Sequence, residues 1–219
     1  MINENDVMKV YNYSKNIRKK ILTMAFEAGS SSAHIGGALS IADILSTLFF
    51  NTMTVIDKEP QNDLRDRFIL SKGHACLAYY ASLSEVGFLS DEQLKTFEKN
   101  DTELPGHPVM NKKLGIEFST GSLGMGLSLG IGVALSAAKK KKNFHVYVLL
   151  GDGECNEGSV WEAAMFAKSK KLNNLCAIVD FNKWQATQKT LNNYSIEDLS
   201  NKFISFGWNS KIINGHSHK

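Results

Sequence analysis

Apolar residues Ile17, Ile21, Met24, Ala25 and Ala28 recur at helical spacing early in the chain. They predict a helix with Ser14 as a cap and Gly29 as its stop. A Ser/Ala/Gly loop, GSSSAHIGGA, follows. Ser40 and Asp43 have the spacing of a capping box, opening a second helix with Ile41, Ile44, Leu45, Leu48 and Phe49 on its inner face. Arg67 to Leu70 is a short apolar strand ending at Ser71-Lys72-Gly73-His74. A helix from Ala75 to Val86 comes next, Ser90 with Gln93 caps another, and residues 101–120, with Pro105, Gly106 and Pro108, read as loop.

From Gly121 the pattern is helical again, with Gly124, Gly126, Gly130 and Gly132 inside it. Each glycine costs about 1 kcal/mol against alanine in a helix interior, so four of them argue for close backbone packing against a ligand or another chain. Phe144 to Leu150 and Leu175 to Phe181 are continuous apolar strands, and Gly158 to Lys171 is a crossover helix between them. Two such strands joined by a helix are the signature of a parallel sheet covered on both faces. The expected fold is a single α/β domain, a three-layer αβα arrangement with a mostly parallel sheet and a long helical N-terminal approach.

Composition changes this picture little. Hydrophobic residues make up 43% and charged residues 21% of the 219, ordinary for a globular protein. The net charge of +3 comes partly from Lys139 to Lys142. That run suits a solvated helix C-terminus, where cations are favoured, better than a nucleic-acid patch, because no aromatic residues interleave with it. Cys76, Cys155 and Cys176 have neither CxxC nor zinc spacing; Cys76 and Cys176 lie in apolar runs and read as core. The N-terminus lacks the apolar segment of a signal peptide and no apolar run reaches membrane-spanning length, so a cytoplasmic chain with neither nucleic-acid nor membrane partner is expected.

The chemistry gathers where the strands end. Phe144 to Leu150 runs directly into Gly151-Asp152-Gly153, and ligands of open α/β sheets bind beyond the carboxyl ends of strands. The glycines allow a tight turn and close approach of backbone N–H groups to an anion. The next strand ends at Asp180-Phe181-Asn182. A βαβ unit brings neighbouring strand ends together, so Asp152 and Asn182 can share one ion. One charged and one neutral oxygen ligand suit magnesium, which completes its shell with phosphate and water. A bare Gly-Asp-Gly is more often a plain turn after a strand; the paired strand-end Asn and the intervening Glu-Gly are what argue for the ion.

The block GDGECNEGSVWEAAMFAKSKKLNNLCAIVDFN resembles the thiamine-diphosphate motif of the transketolase family, which opens with GDG and closes with Asn. The resemblance implies that Asp152, Asn182 and the backbone carbonyl of Trp184 hold Mg2+ (or Ca2+ or Mn2+). It also puts Gly153, Glu154 and Asn182 at the cofactor and Glu157 near a subunit interface that couples two active sites. SSAHIGGALSIADIL, DRFILSKGHACLAYY and LPGHP look like the family's histidine segments, carrying His34, His74 and His107. STGSLGMGLSLGIGVA is similar to its cofactor-contacting loop, with Gly121, Ser122 and Leu123 against the cofactor. INGH supplies His216, in a setting where the family has Gly-His-Asp and this chain has Ser217. The TGS of Thr120 to Ser122, where full-length transketolases commonly have TGP, looks more like the separate-subunit relatives.

On this resemblance the catalytic set is His34, His74, His107, His216 and Glu157, with His74 and His216 also touching the cofactor. Histidine suits such work because it can donate to a developing alkoxide or take a hydroxyl proton near pH 7; His145 and His218 read as structural or simply exposed. The implied activity is transfer of a two-carbon ketol unit from a ketose or its phosphate to an aldose or its phosphate, within carbohydrate metabolism. The glutamate that activates the cofactor lies in the family on a pyrimidine-binding domain, which is expected to be absent from these 219 residues. The expected partner is therefore a C-terminal transketolase-like subunit, in a heterotetramer or around a homodimer of this chain. The family domain runs past the Gly-His segment into further strand and helix, so the chain is expected to be C-terminally incomplete. Rival readings are a 1-deoxyxylulose-phosphate synthase-like or 2-oxo acid dehydrogenase-like subunit, which LPGHP and GHACLAYY disfavour, and a non-catalytic cofactor-binding scaffold. An Asp/Asn magnesium site could also serve a phosphohydrolase, but that reading lacks a nucleophile in this sequence.

Overall fold

The computed structural model describes residues 4–29, 33–186, 188–190 and 195–218. Its Cα positions divide the chain into two compact units, one of residues 1–66, 73–121 and 215–219, the other of residues 67–72 and 122–214.

The first unit is helical. Helix α1 spans Glu4–Glu27, with Glu4 and Asp6 in its first turn where the helix dipole favours acids. Val10, Ser14, Ile17, Ile21 and Met24 line its buried face, which packs on α3 (Ala42–Thr47) and α4 (Cys76–Glu85). Ser14 is therefore not a cap. It sits mid-helix and donates to the Asp43 carboxylate, which satisfies a hydroxyl that would otherwise be buried unpaired. The stop at Gly29 is found, with φ +62°.

Ser40 is likewise not a helix start. A short helix α2 (Ile35–Ser40) ends on it, and Ile41 (φ −100°, ψ 3°) breaks the chain before α3. The Asp43 carboxylate cannot cap anything, because Ser14 and Arg18 donate to it and His216 shares it. The expected Ser/Ala/Gly loop becomes helical from Ile35, and its residues 30–32 lie outside the described residues. The second helix's apolar face survives, with Ile41, Leu45, Leu48 and Phe49 buried. Ser90 and Gln93 form the expected capping box on the four-residue helix α5 (Asp91–Leu94).

The second unit carries the sheet. Strands β1 (Arg67–Leu70), β2 (Val146–Gly151) and β3 (Leu175–Asp180) are parallel in the order β1-β2-β3. β2 is central, with Val148, Leu149 and Leu150 fully buried. Helix α6 (Gly126–Lys139) packs on β2 and β3, and α7 (Gly158–Ser169) is the crossover between them. The expected α/β fold with a parallel sheet is observed.

Two expectations change. Cys176 is exposed near the start of β3, whereas Cys76 and Cys155 are buried. The glycines of residues 124–132 do not form one surface. Gly130 leaves no room for a Cβ against Val148 of β2, Gly124 precedes the helix, and Gly132 faces open space. Lys140 to Lys142 close α6 as the sequence suggests: Lys141 (φ 53°) and Lys142 return N–H bonds to Ala138 and Ala137. Lys171 (φ 53°) and Leu172 close α7 in the same way. Helix α8 (Ile196–Ser205) docks Phe203 against Trp161 of α7 at 5.1 Å between rings.

Candidate functional site

In the second unit, Gly151 at the end of β2 is the register partner of Asp180 at the end of β3. The ladder runs one residue further, with Asp152 N–H donating to the Asp180 carbonyl at 3.1 Å. The βαβ unit thus does what its spacing predicts and sets Asp152 beside the turn after β3. The Asp152 carboxylate accepts the backbone N–H groups of Gly153 and of Lys183, each at 2.9 Å. It is 1% exposed, and burial pushes its carboxyl above the ordinary aspartate range despite those donors. The neighbouring Asp180 charge acts in the same direction.

The Asn182 amide is held at both ends. Its Oδ1 accepts the Trp184 N–H at 2.8 Å and its Nδ2 donates to Asp180 Oδ2 at 3.0 Å. Trp184 itself is exposed and forms an isolated bridge with Lys189. Gly153 is required by space, since a Cβ there would meet Gln185 Cβ at 2.7 Å. Among the described residues no group of three or more His, Cys, Asp and Glu stands ready to hold a metal. The donor set that the resemblance names is of another kind: the Asp152 carboxylate, the Asn182 carboxamide oxygen and the Trp184 carbonyl are hard oxygens of the type that suits Mg2+ or Ca2+. A carboxylate whose charge burial disfavours fits a cation, because a cation reverses that cost.

Glu154 is buried, and its carboxylate is occupied within the protein. It accepts Gly124 N–H at 2.8 Å, Gly151 N–H at 3.0 Å and the Ser71 hydroxyl. Ser71 Oγ in turn accepts Gly126 N–H at 3.1 Å. Glu154 thus ties the loop before α6 to the ends of β1 and β2. Ser122 and Leu123 of that loop are exposed, and Glu157 is exposed at the start of α7 without capping it.

In the first unit three imidazoles meet. His34 precedes α2, His74 lies in the turn Gly73–Ala75 and His107 in the loop after Pro105. The His34 ring stands 5.5 Å from His74 and 6.1 Å from His107, both edge-on. Glycines make this possible: a Cβ on Gly73 would meet the Thr120 carbonyl carbon at 2.8 Å, and one on Gly121 the His107 ring at 3.1 Å. His216 does not join them. Its Nδ1 lies 2.7 Å from Asp43 Oδ2, in the cluster that also holds Ser14 and Arg18. His218 packs edge-on against Tyr11 at 5.9 Å, a structural placement as its sequence setting suggests.

Sequence reasoning missed Lys72. It is fully buried and its Nζ lies 2.6 Å from Asp180 Oδ2, the oxygen that also receives the Asn182 amide. The available signal was a lysine directly after an apolar strand, where no water can solvate it.

Residues 13–219 match the family model described as transketolase, thiamine diphosphate binding domain. The chain is 41% identical over 184 residues to a 6-deoxy-6-sulfo-D-fructose transketolase subunit of Clostridium sp. (strain MSTE9), covering 84% of this chain and 67% of that one. It is 41% identical over 202 residues to an apulose-4-phosphate transketolase subunit of Phocaeicola vulgatus, covering 92% and 71%. Human transketolase is 39% identical over 201 residues, and there this chain spans 32% of the longer protein. Among solved structures, transketolase from Campylobacter jejuni superposes with a TM-score of 0.86 over 99% of this chain and 34% of that one, at 30% identity. The chain belongs to the transketolase family and carries that family's thiamine-diphosphate-binding domain.

Proposed function

We propose that this chain is the diphosphate-binding subunit of a heteromeric transketolase, holding thiamine diphosphate through a divalent cation. The observation that carries the proposal is the joined ends of β2 and β3, where Asp152 receives the Lys183 N–H beside the oriented Asn182 amide. Asp152, Asn182 and the Trp184 carbonyl take the metal, preferably Mg2+, with Ca2+ or Mn2+ able to replace it. Gly153, whose N–H is held by Asp152, lies against the diphosphate, and Gly121, Ser122 and Leu123 face the cofactor's rings. Glu154 acts by holding the Gly124 loop. Bound thiamine diphosphate supplies an electron sink for breaking the carbon–carbon bond beside a ketose carbonyl.

His34, His74 and His107 orient the sugar and move protons at its hydroxyl and carbonyl oxygens, work for which three adjacent imidazoles are suited. His74 also touches the cofactor. Glu157, exposed at the start of α7, is a subunit contact. His216 belongs to this set only if it leaves Asp43. Relatives named as transketolase subunits support a partner chain, which brings the pyrimidine-binding domain and its glutamate. The assembly is a heterotetramer or is built on a homodimer of this chain, and it works in the cytoplasm. Among the described residues no helix is long and apolar enough to cross a membrane.

Calorimetry with thiamine diphosphate, with and without Mg2+, tests the site. Magnesium-dependent binding that is lost in Asp152→Ala supports it, and absence of binding with the partner present overturns it. A panel of ketose donors, including fructose carrying a 6-sulfo group and pentulose phosphates, assayed against pyruvate, separates ketol transfer from the other thiamine-dependent activities.

A further inference from the structure

We infer that Lys72 and Asp180 are a positioning pair for the metal site, fixing which end of the Asn182 amide faces the ion. A carboxamide is a metal ligand only through its oxygen, and its two ends differ little in shape. Here the choice is made by hydrogen bonding. Asp180 Oδ2 accepts from Asn182 Nδ2 at 3.0 Å, so the nitrogen is drawn toward Asp180, while Oδ1 is left to the Trp184 N–H and the cation. The same Asp180 oxygen takes Lys72 Nζ at 2.6 Å, with the lysine fully buried and Asp180 nearly so.

The lysine has a definite task in this arrangement. Asp180 ends a strand whose register partner leads directly to Asp152, so two carboxylates stand at adjoining strand ends. Uncompensated, Asp180 would compete with Asp152 for the cation and would itself be costly to bury. Paired with Lys72 it becomes a neutral, rigid acceptor, and Asp152 remains the carboxylate offered to the metal. Partners that orient a ligand from behind typically change metal affinity 10–100-fold when removed. The inference rests on the proposed metal reading of Asp152 and Asn182.

The test compares two charge-neutral doubles of the whole chain, Lys72→Met/Asp180→Asn and Lys72→Met/Asp180→Leu. Exchanging a buried ion pair for well-packed neutral residues is commonly tolerated, so both should fold. Only the first keeps an oxygen able to accept from Asn182 Nδ2. Mn2+ binding is read by electron paramagnetic resonance with thiamine diphosphate present, and metal-free melting by circular dichroism. The double with Asp180→Asn should stay within about threefold of wild-type affinity, and the double with Asp180→Leu should fall about 10–100-fold. Adding Asn182→Asp, whose two oxygens need no orienting, should restore the second. Equal affinities in the two doubles overturn the inference while leaving the metal site intact. A melting temperature lowered by more than about 10 °C in the double with Asp180→Leu alone assigns the pair to the fold and overturns it too. No Mn2+ uptake by the wild type overturns the metal reading itself.

Discussion

Two buried aspartates, one in each unit, have opposite electrostatic fates. Burial alone would raise the Asp43 carboxyl, but the Ser14 hydroxyl, His216 and Arg18 outweigh it and hold that group below the ordinary range. At Asp152 the compensation from the Thr190 side chain and the Gly153 and Lys183 amides is weaker, and burial keeps its carboxyl above that range. Asp43 is thus satisfied by the chain that surrounds it, and it joins α1, α3 and the residues after Gly215. Asp152 is held in place but left electrostatically in debit, the condition in which a divalent cation gains most. The contrast separates a buried acid satisfied within its own unit from one whose charge burial still disfavours, and it is the second kind that the proposed metal role of Asp152 requires.

The largest expected effect breaks the Asp152 side of this contrast. Asp152→Ala should lower Mg2+-dependent thiamine diphosphate binding by at least about 100-fold in calorimetry, with the metal-free chain melting no lower than wild type. Next comes Asp43→Ala, which strands the Ser14 hydroxyl and Arg18. Arg18 is one-third exposed, so the loss is at the low end for buried pairs, about 2–3 kcal/mol by urea unfolding. Cofactor binding measured in the folded variant should change little.

The pH dependence carries the same opposition of sign. Because Asp43 is lowered in the folded state, its stabilisation is full above the unfolded value near ~4 and is lost as pH falls through the lowered one. Because Asp152 is raised, its contribution is present at low pH and is lost as pH rises through the raised value. Asp43→Asn should therefore flatten the acid limb of a melting curve. Asp152→Asn should raise the metal-free melting temperature at neutral pH, and saturating Mg2+ with thiamine diphosphate should erase that advantage by stabilising only the wild type.

The smallest effect supplies a control that touches neither acid. Lys141 and Lys171 occupy the left-handed position after α6 and α7, where α8 uses Gly207. Replacing either lysine with glycine should stabilise the chain by up to about 1 kcal/mol in thermal unfolding, with metal affinity unchanged.

The second unit was the more legible in sequence. Its strands are apolar runs, its crossover helix has the right length, and the meeting of the two strand ends follows from the parallel βαβ geometry. The first unit misled where a polar side chain serves a distant partner. Ser14 has the look of a cap, but its partner Asp43 lies 29 residues away, and the Asp43 partner His216 lies 173 residues away. Lys72 and Asp180, 108 residues apart, were invisible for the same reason. Local pattern reports periodicity and turn chemistry, whereas a buried polar pair between remote segments leaves only an out-of-place charge. The three histidines were found through the resemblance; their meeting depends on Gly73 and Gly121, whose roles only packing reveals.

The pairing of Gly151 with Asp180 has a consequence for folding. Strand side chains alternate, so a slip of β3 by one residue against β2 would turn every β3 residue to the opposite face. Asp180 would leave Lys72, and Asn182 would lose its place beside Asp152. β3 is apolar at every position before Asp180, so its own sequence has little alternation to forbid such a slip. An ion that binds only the native alignment favours it by RT ln(1 + [L]/Kd), roughly 2.7 kcal/mol at a hundredfold excess over Kd. On the proposed function, a metal held by Asp152 and Asn182 would proofread the strand alignment as well as anchor the diphosphate.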